Sequence, residues 1–115
     1  MDVVKKSVSL YLTASGESPF EDWFDGLWDI RAKHRILARI ARVRAGNLGD
    51  WKSVGDGVRE LRIDYGPGYR IYVGQDGERV IILLSGGDKK RQQQDIAKAK
   101  AYWHDYQESE RTKEF

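Results

Sequence analysis

The chain has 115 residues, which is the size of one domain. It contains no cysteine, which excludes a disulfide framework and a thiolate metal site, and two histidines are too few for a histidine-rich metal centre. Its mean hydropathy is −0.67, and the longest apolar run, Val80–Leu84, is far shorter than the about 20 residues of a membrane span. The net charge is only +2, so the total charge does not indicate a nucleic-acid partner. Such a partner can be inferred only from how the cationic residues cluster. We expect one cytoplasmic domain, 1–115, without metal, cofactor or membrane contact.

The first half of the chain predicts a strand followed by two helices. Alternating apolar residues indicate a half-buried strand over Ser7–Thr13. Ser18-Pro19-Phe20-Glu21 has the form of a capping box with proline at the first helical position, so a short helix begins there. Asp29 is expected to cap a second helix that runs to about Ala45 and forms an antiparallel hairpin with the first. The predicted apolar face of the second helix consists of Ile30, Leu37, Ile40 and Ala41, with Ile36 and Val43 at its edge.

The second half predicts a loop, three strands, a helix and a frayed tail. The loop is Gly46–Asp56, and the tail is Glu108–Phe115. The strands form an antiparallel meander, in which the last one is apolar throughout, covered on both faces and ended by Gly86-Gly87. Their ranges are Val58–Asp64, Gly68–Gly74 and Arg79–Ser85. A last helix runs from about Asp88 to Tyr106, with Ile96, Ala99, Trp103 and Tyr106 inward.

These elements follow the order β-α-α-β-β-β-α. Since the first strand must return beside the meander through the helical hairpin, the predicted fold is a small α+β sandwich. It has a twisted, mainly antiparallel sheet with the helical hairpin packed on it.

Charged residues alternate with apolar ones along the second and third strands, and they predict a cationic sheet face. Arg62 and Arg70 share this face and are flanked by Glu60 and Tyr72. Further polar residues that follow the fourth strand lie at its edge: Lys89, Lys90, Arg91 and Gln92. Such a face suits a phosphate backbone with a stacked base. The alternative is a solvated face in which Arg62 pairs with Glu60 or Asp64.

The second helix carries four arginines at spacings of four, four and three residues, which place them on one face. They form a basic ridge, which is either a solvated face or a surface for a partner. These residues are Arg31, Arg35, Arg39 and Arg42.

Two stretches together resemble a known family. Val58–Tyr72 is the first stretch, and the second is Leu83–Lys89 followed by Gln92 and Asp95-Ile96. The combination is similar to the addiction-module killer proteins, the HigB-like, phage-derived branch of the RelE/ParE toxin superfamily. The resemblance extends from about Val8 to Tyr106, and the family fold has the same element order.

The resemblance implies a toxin of a type II toxin–antitoxin pair. RelE-like members cut mRNA in the ribosomal A site, whereas ParE-like members block DNA gyrase and cut nothing. By position, Arg62 matches a residue that contacts mRNA, Arg70 a phosphate-stabilising residue and Lys89 a basic position after the fourth strand. Glu60 stands where nuclease relatives often carry lysine, and no tyrosine begins the last helix.

We therefore assign Arg62, Arg70, Lys89 and Glu60 to catalysis, with Glu60 or Lys89 as the base or acid. Five residues are assigned to RNA binding: Lys90, Arg91, Gln92, Tyr72 and Lys52. The basic ridge is assigned to the antitoxin, which the resemblance implies is a helix-turn-helix protein. The other partners are the ribosome with its mRNA, and operator DNA only through the antitoxin complex. Open alternatives are a gyrase inhibitor and a non-toxic binding module.

Overall fold

The computed structural model describes residues 4–115, which form a six-stranded sheet and three α-helices. In chain order the elements are β1 (Ser7–Tyr11), α1 (Pro19–Asp25), α2 (Ile30–Arg44), β2 (Trp51–Gly55), β3 (Val58–Ile63), β4 (Tyr69–Asp76), β5 (Val80–Asp88), a single 3-10 turn (Lys89–Arg91), α3 (Gln92–Ser109) and β6 (Thr112–Glu114). The strand order across the sheet is β2-β3-β4-β5-β1-β6. β1 runs parallel to β5, and every other pair is antiparallel. The predicted α+β fold with a mainly antiparallel sheet is confirmed.

The two predicted helix caps are present. The Ser18 hydroxyl accepts a hydrogen bond from the backbone N–H of Glu21 at 3.1 Å, and Pro19 occupies the first helical position. The Asp29 carboxylate accepts from the backbone N–H groups of Arg31 and Ala32 at 3.0 and 3.3 Å. These side chains satisfy amide donors that the first turn of a helix leaves without partners.

Helices cover both faces of the sheet. One face, called the α2 face here, packs against α1 and α2 and buries Phe20, Ile36, Ile40, Leu61, Ile71 and Leu83. The opposite face, called the α3 face, packs against α3 and buries Val58, Tyr72, Ile82, Leu84, Ala99 and Trp103. β5 contributes to both cores, as predicted, and burial on both faces explains its uninterrupted apolar sequence.

Two glycines let the helices approach the sheet closely. A Cβ atom built at Gly86 would overlap the indole of Trp23 in α1, and one built at Gly74 would overlap the indole of Trp103 in α3. Gly86 lies inside β5, because this strand continues to Asp88. The prediction that Gly86-Gly87 ends the strand was therefore wrong.

Two segments that were predicted to be irregular are edge strands. β2 lies in the predicted loop Gly46–Asp56 and pairs with β3, and β6 lies in the predicted tail Glu108–Phe115 and pairs with β1. Phe115 adds an edge-on contact with Phe20 at 5.8 Å between ring centroids. Most side chains of β2 and β6 are exposed, so the hydrogen-bond ladder of the neighbouring strand, rather than an apolar pattern, stabilises them.

The buried side of α2 differs from the predicted one. The residues that face the sheet are Ala32, Ile36, Arg39, Ile40 and Val43. Of the four residues that were predicted to point inward, Ile40 is buried, whereas Ile30, Leu37 and Ala41 are exposed. The prediction treated every arginine of α2 as exposed. Because Arg39 is buried, the helix is rotated about its axis relative to the predicted orientation.

Within residues 4–115, no helix combines the length and the apolar character that crossing a membrane requires.

Candidate nucleic-acid interface

Cross-strand pairing places the predicted polar residues in two rows on the α3 face. Arg62 pairs with Arg70, which in turn pairs with Gly87 of β5. The second row consists of Lys52, Glu60, Tyr72 and Ser85. Directly opposed residues of antiparallel strands project from the same side of the sheet. The register therefore confirms the predicted arrangement, in which one face carries Arg62, Arg70, Glu60 and Tyr72.

Three of the predicted cations line one cleft of about 480 Å³, between the end of β3 and the start of β4. They are Arg62, Arg70 and Lys89. Gly68 lies between two of them, because a Cβ atom built there would be 3.7 Å from Arg70 Nη1 and 3.5 Å from Lys89 Cβ. Gly68 also has a φ of +81°, a conformation that favours glycine. The positive φ, rather than lack of space, is the reason for glycine at this turn.

Arg62 forms an ion pair with Asp50 rather than with Glu60 or Asp64. Its Nη2 donates to Asp50 Oδ1 at 2.8 Å, and both side chains are more than one-third exposed. The solvated-face alternative predicted an ion pair for Arg62, but with other carboxylates. An exposed ion pair of this kind holds the guanidinium weakly.

Glu60 is fully buried beneath this surface. Its Oε2 accepts hydrogen bonds from Gln92 Nε2 at 2.7 Å and from the Tyr72 hydroxyl at 3.2 Å. Its Oε1 lies 3.7 Å from Arg70 Nε, and neither of these two atoms has a hydrogen-bond partner in the residues described. Glu60 therefore supplies negative charge directly behind Arg70.

This burial corrects two predicted roles. Tyr72 has no exposed surface, so it cannot stack on an RNA base, and Glu60 cannot reach a substrate hydroxyl to act as its base. Burial, together with the charge of Glu60, raises the pKa of Tyr72, so its hydroxyl remains a donor. Glu60 lies next to Arg70 instead, and Tyr72 donates a hydrogen bond to Glu60.

The segment after β5 carries the remaining predicted RNA-binding residues. Asp88 caps the 3-10 turn by accepting from the Lys90 backbone N–H at 2.9 Å. The turn leaves Lys89, Lys90 and Arg91 exposed. A second cleft of about 680 Å³ runs from this turn into Gln92–Gln94. Gln92 itself points inward to Glu60, so of the predicted RNA-binding residues in this segment Lys90 and Arg91 face solvent, together with Lys89.

Lys52 lies at the edge of the same face. It is exposed on β2 and is the register partner of Glu60. It does not line the cleft of Arg62 and Arg70, so it extends the cationic surface outward along the second row.

Asp95 was among the residues that carry the family resemblance, but it was not assigned to the site. Its carboxylate packs against Gly87, where a Cβ atom would overlap it, and Gly87 is the register partner of Arg70. Burial, together with the negative charge of Asp88, raises the pKa of Asp95. The signal was available, because Gln92, Asp95, Ile96 and Ala99 follow helical spacing on the inward side of α3.

Arg39 does not belong to a surface ridge. It is buried, and its guanidinium donates to three backbone oxygens, those of Leu48 (2.8 Å), Arg62 (2.7 Å) and Asp50 (2.5 Å). Burial lowers its pKa. The assignment of Arg39 to a partner surface was wrong, because its guanidinium is buried and its N–H groups donate to backbone carbonyls of β3 and of the loop before β2. Arg31, Arg35 and Arg42 are exposed as predicted.

Comparison with known proteins places the chain in a family. A family model described as "Phage derived protein Gp49-like (DUF891)" matches residues 22–111. An uncharacterized protein of Haemophilus influenzae is 52% identical over 81 residues, which cover 70% of this chain and 82% of that protein. No solved structure matches. The chain therefore belongs to the Gp49-like family of phage-derived proteins, a family related to the RelE-like toxins of toxin–antitoxin systems.

Proposed function

We propose that the protein is the toxin of a type II toxin–antitoxin module and acts as a ribosome-dependent mRNA endoribonuclease of the HigB-like branch. The observation that carries this proposal is the cleft in which Arg62, Arg70 and Lys89 meet. Guanidinium groups bind phosphate oxygens bidentately, and cations beside the scissile phosphate stabilise the charge of its transition state.

The reaction is attack of an RNA 2′-hydroxyl on the adjacent phosphate, with departure of the 5′-oxygen. Arg62 and Arg70 bind the phosphate and do not transfer protons, because arginine does not readily release a proton. Three side chains that line the cleft can transfer a proton, namely Lys89, Asp50 and Asp64, and we assign the transfer to Lys89. Asp95, whose pKa is raised, is a second candidate for proton transfer near Gly87.

Glu60 acts in this proposal as a positioning residue for Arg70. Its carboxylate lies behind the guanidinium and is fixed by Tyr72 and Gln92. The site offers few proton-transfer groups, so it would be slow alone. Dependence on the ribosome supplies the positioning of the mRNA that the small domain lacks.

The proposed partners are the ribosome with its mRNA and a helix-turn-helix antitoxin. The antitoxin covers part of the basic surface, at the cleft or at the exposed arginines of α2. Operator DNA is bound only by the complex, because a net charge of +2 gives the toxin weak non-specific affinity for DNA.

Inducible expression in a bacterium tests the proposal. We expect incorporation of amino acids to stop before DNA synthesis, and purified protein to cleave mRNA only when ribosomes are present. Arg62→Ala should relieve the arrest, whereas Lys98→Ala, at an exposed position of α3, should not. DNA breaks of the gyrase type with translation intact would contradict the nuclease and favour a gyrase inhibitor, and unaffected growth would indicate a non-toxic binding module.

A further inference from the structure

The cleft of Arg62, Arg70 and Lys89 continues into a groove along α2, called the α2 groove here. The groove has a volume of about 310 Å³, and Ile63 and Asp64 line both it and the cleft. Consecutive residues of a strand project to opposite sides of the sheet, so the path passes around the end of β3 from the α3 face to the α2 face. The remaining walls of the α2 groove are residues of α2: Arg35, Ala38, Arg39 and Arg42.

Two further openings extend this path at its ends. At one end, Lys89 lines both the cleft and the opening of about 680 Å³ that follows the 3-10 turn. At the other end, the α2 groove shares Arg35 and Ala38 with a depression of about 450 Å³ that reaches Arg31 in the first turn of α2. The four openings therefore form one continuous path across the surface, called the cationic belt here.

The cationic belt concentrates the positive charge of the chain. The whole chain has 20 Lys and Arg residues against 18 Asp and Glu residues. Within residues 4–115, nine cationic residues line the belt, of which four lie on α2, two on the sheet and three in the 3-10 turn. Two carboxylates, those of Asp50 and Asp64, line it as well. Cations that are sorted along one continuous path are typical of a surface that binds a polyanion.

Arg39 fixes the position of the α2 groove relative to the cleft. It lines the α2 groove, and its guanidinium donates to the backbone carbonyls of Arg62 at 2.7 Å and Asp50 at 2.5 Å. Both acceptor residues line the cleft. Because these hydrogen bonds join α2 to the walls of the cleft, a strand that is bound in the cleft meets the α2 groove at a fixed distance.

Arg35 is oriented by an aromatic ring beneath it. Its guanidinium carbon lies 4.6 Å from the ring centroid of Tyr65, and the Tyr65 hydroxyl donates to Asp29 Oδ2 at 3.0 Å. The ring of Tyr65 also stacks on that of Tyr69, with 6.5 Å between the centroids. Although Arg35 is exposed, its guanidinium is therefore held in one orientation, which reduces the entropy lost when it binds a phosphate.

We propose that the α2 groove binds the phosphates of a single-stranded RNA next to the segment that occupies the cleft, through Arg35 and Arg42. The inference rests on the proposed function, because that function places the scissile phosphate in the cleft. The α2 groove takes no part in bond cleavage. It adds affinity and fixes the register of the strand, which is what phosphate contacts outside a reacting centre do.

The shape of the cationic belt favours a single strand over a duplex. The path turns around the end of β3 within a molecule whose longest dimension is 39 Å. A flexible single strand can follow this turn, whereas duplex DNA has a persistence length of about 50 nm and stays straight over such a distance. An acidic protein segment has the same sign of charge as RNA, so the experiment compares the two directly.

Binding of RNA strands of two lengths to the full chain tests the proposal. The probes are a fluorescein-labelled uridine trinucleotide, which fills the cleft, and an oligouridylate of about 12 nucleotides, which also reaches the α2 groove. Both carry 2′-O-methyl groups, which prevent cleavage. We expect the longer RNA to bind more tightly and to shift the amide resonance of Ala38, which the trinucleotide should leave in place.

The double variant Arg35→Gln/Arg42→Gln should weaken binding of the longer RNA about tenfold and affect the trinucleotide much less. The slope of log affinity against log salt should fall by about 1.4, because each phosphate contact of a single strand contributes about 0.7. Lys98→Gln/Lys113→Gln removes the same charge at exposed positions outside the belt and is the matched control, which should retain the affinity for the longer RNA. All four positions are exposed, so the melting temperatures should stay close to that of the unmodified chain.

The proposal is overturned if both RNAs bind equally tightly or not at all, or if the variant of Arg35 and Arg42 loses no more affinity than the control. It is also overturned if an oligoglutamate of equal charge or an RNA duplex displaces the longer RNA better than the unlabelled single strand does. Failure of the proposed function alone gives a different result. The longer RNA then still depends on Arg35 and Arg42, which supports the α2 groove, while ribosome-dependent cleavage of mRNA is absent.

Discussion

At the scale of single residues, the buried carboxylate of Glu60 determines what its neighbours do. Sequence alternation correctly put Glu60 and Tyr72 on one face with the arginines, but alternation cannot distinguish an open face from one that a helix covers. Because α3 covers this face, Glu60 and Tyr72 are internal, and Arg70 is the residue that connects them with the cleft.

Arg70→Ala is expected to destabilise the fold as well as the site. The Arg70 side chain is only 12% exposed and Glu60 is not exposed at all, so the variant leaves a buried carboxylate without its cation. Breaking such a pair costs about 3–5 kcal/mol. Denaturant unfolding measures the loss, and Arg70→Lys should recover part of it. The double variant Glu60→Gln/Arg70→Ala should be more stable than Arg70→Ala alone, and equal stability of the two would contradict the coupling.

Arg62→Ala should separate activity from stability. Its ion pair with Asp50 is exposed, so the free energy of unfolding should change by less than about 1 kcal/mol. Loss of a phosphate-binding guanidinium should lower ribosome-dependent cleavage about a hundredfold. Asp50→Asn removes the same ion pair but keeps Arg62, so it is the matched control and should retain activity. Equal losses of cleavage in both variants would show that the ion pair matters rather than the arginine.

At the scale of elements, the sequence predicts those that carry an apolar pattern or a side-chain cap. β1, β3, β4 and β5 alternate or are apolar throughout, and the caps at Ser18 and Asp29 mark where helices begin. β2 and β6 are different, because their side chains are exposed and their pairing depends on open edges of the sheet. Such strands leave no periodic signal in the sequence.

Phe115→Ala tests whether the C-terminal segment is part of the folded structure. Phe115 is half-buried against Phe20, its backbone N–H donates to the Val8 carbonyl at 3.2 Å, and Arg44 lies 5.3 Å from its ring centroid. We expect the free energy of unfolding to fall by about 2 kcal/mol, less than for a fully buried phenylalanine. Lys113→Ala, exposed on the same segment, is the control. A frayed tail would show no loss for either variant.

Arg39 explains why the orientation of α2 was mispredicted. Helical spacing groups it with Arg35 and Arg42, and nothing in the sequence shows that its guanidinium donates to three loop and strand carbonyls. Arg39→Met should destabilise the protein by about 3 kcal/mol or more, because three part-buried hydrogen bonds to backbone carbonyls are then lost. Arg42→Met changes an exposed residue and should cost less than about 0.5 kcal/mol. Thermal and denaturant unfolding of both variants checks this contrast.

At the scale of the whole molecule, five tyrosines share one property. Burial is the largest cause that raises the pKa of each, and most of them also lie near a carboxylate. Three of them, Tyr11, Tyr72 and Tyr106, donate hydrogen bonds to Asp105, Glu60 and Asp76 respectively. The bonds of Tyr11 and Tyr106 connect the sheet to α3, the bond of Tyr72 joins β4 to β3, and each requires a protonated hydroxyl.

Alkaline solution should therefore destabilise the fold. The pKa of Tyr11 rises from 10.0 to about 12 in the folded chain, through burial and its hydrogen bond to Asp105. Below pH 10 the unfolded chain also keeps the proton, so the stabilisation is complete. Between pH 10 and about 12 only the unfolded chain loses it, so the free energy of unfolding should fall by about 1.4 kcal/mol per pH unit for this group. Tyr11→Phe should be less stable at neutral pH and show a shallower decline over this interval. Chemical unfolding at a series of pH values, followed by circular dichroism, measures both slopes, and equal slopes would contradict the assignment to Tyr11.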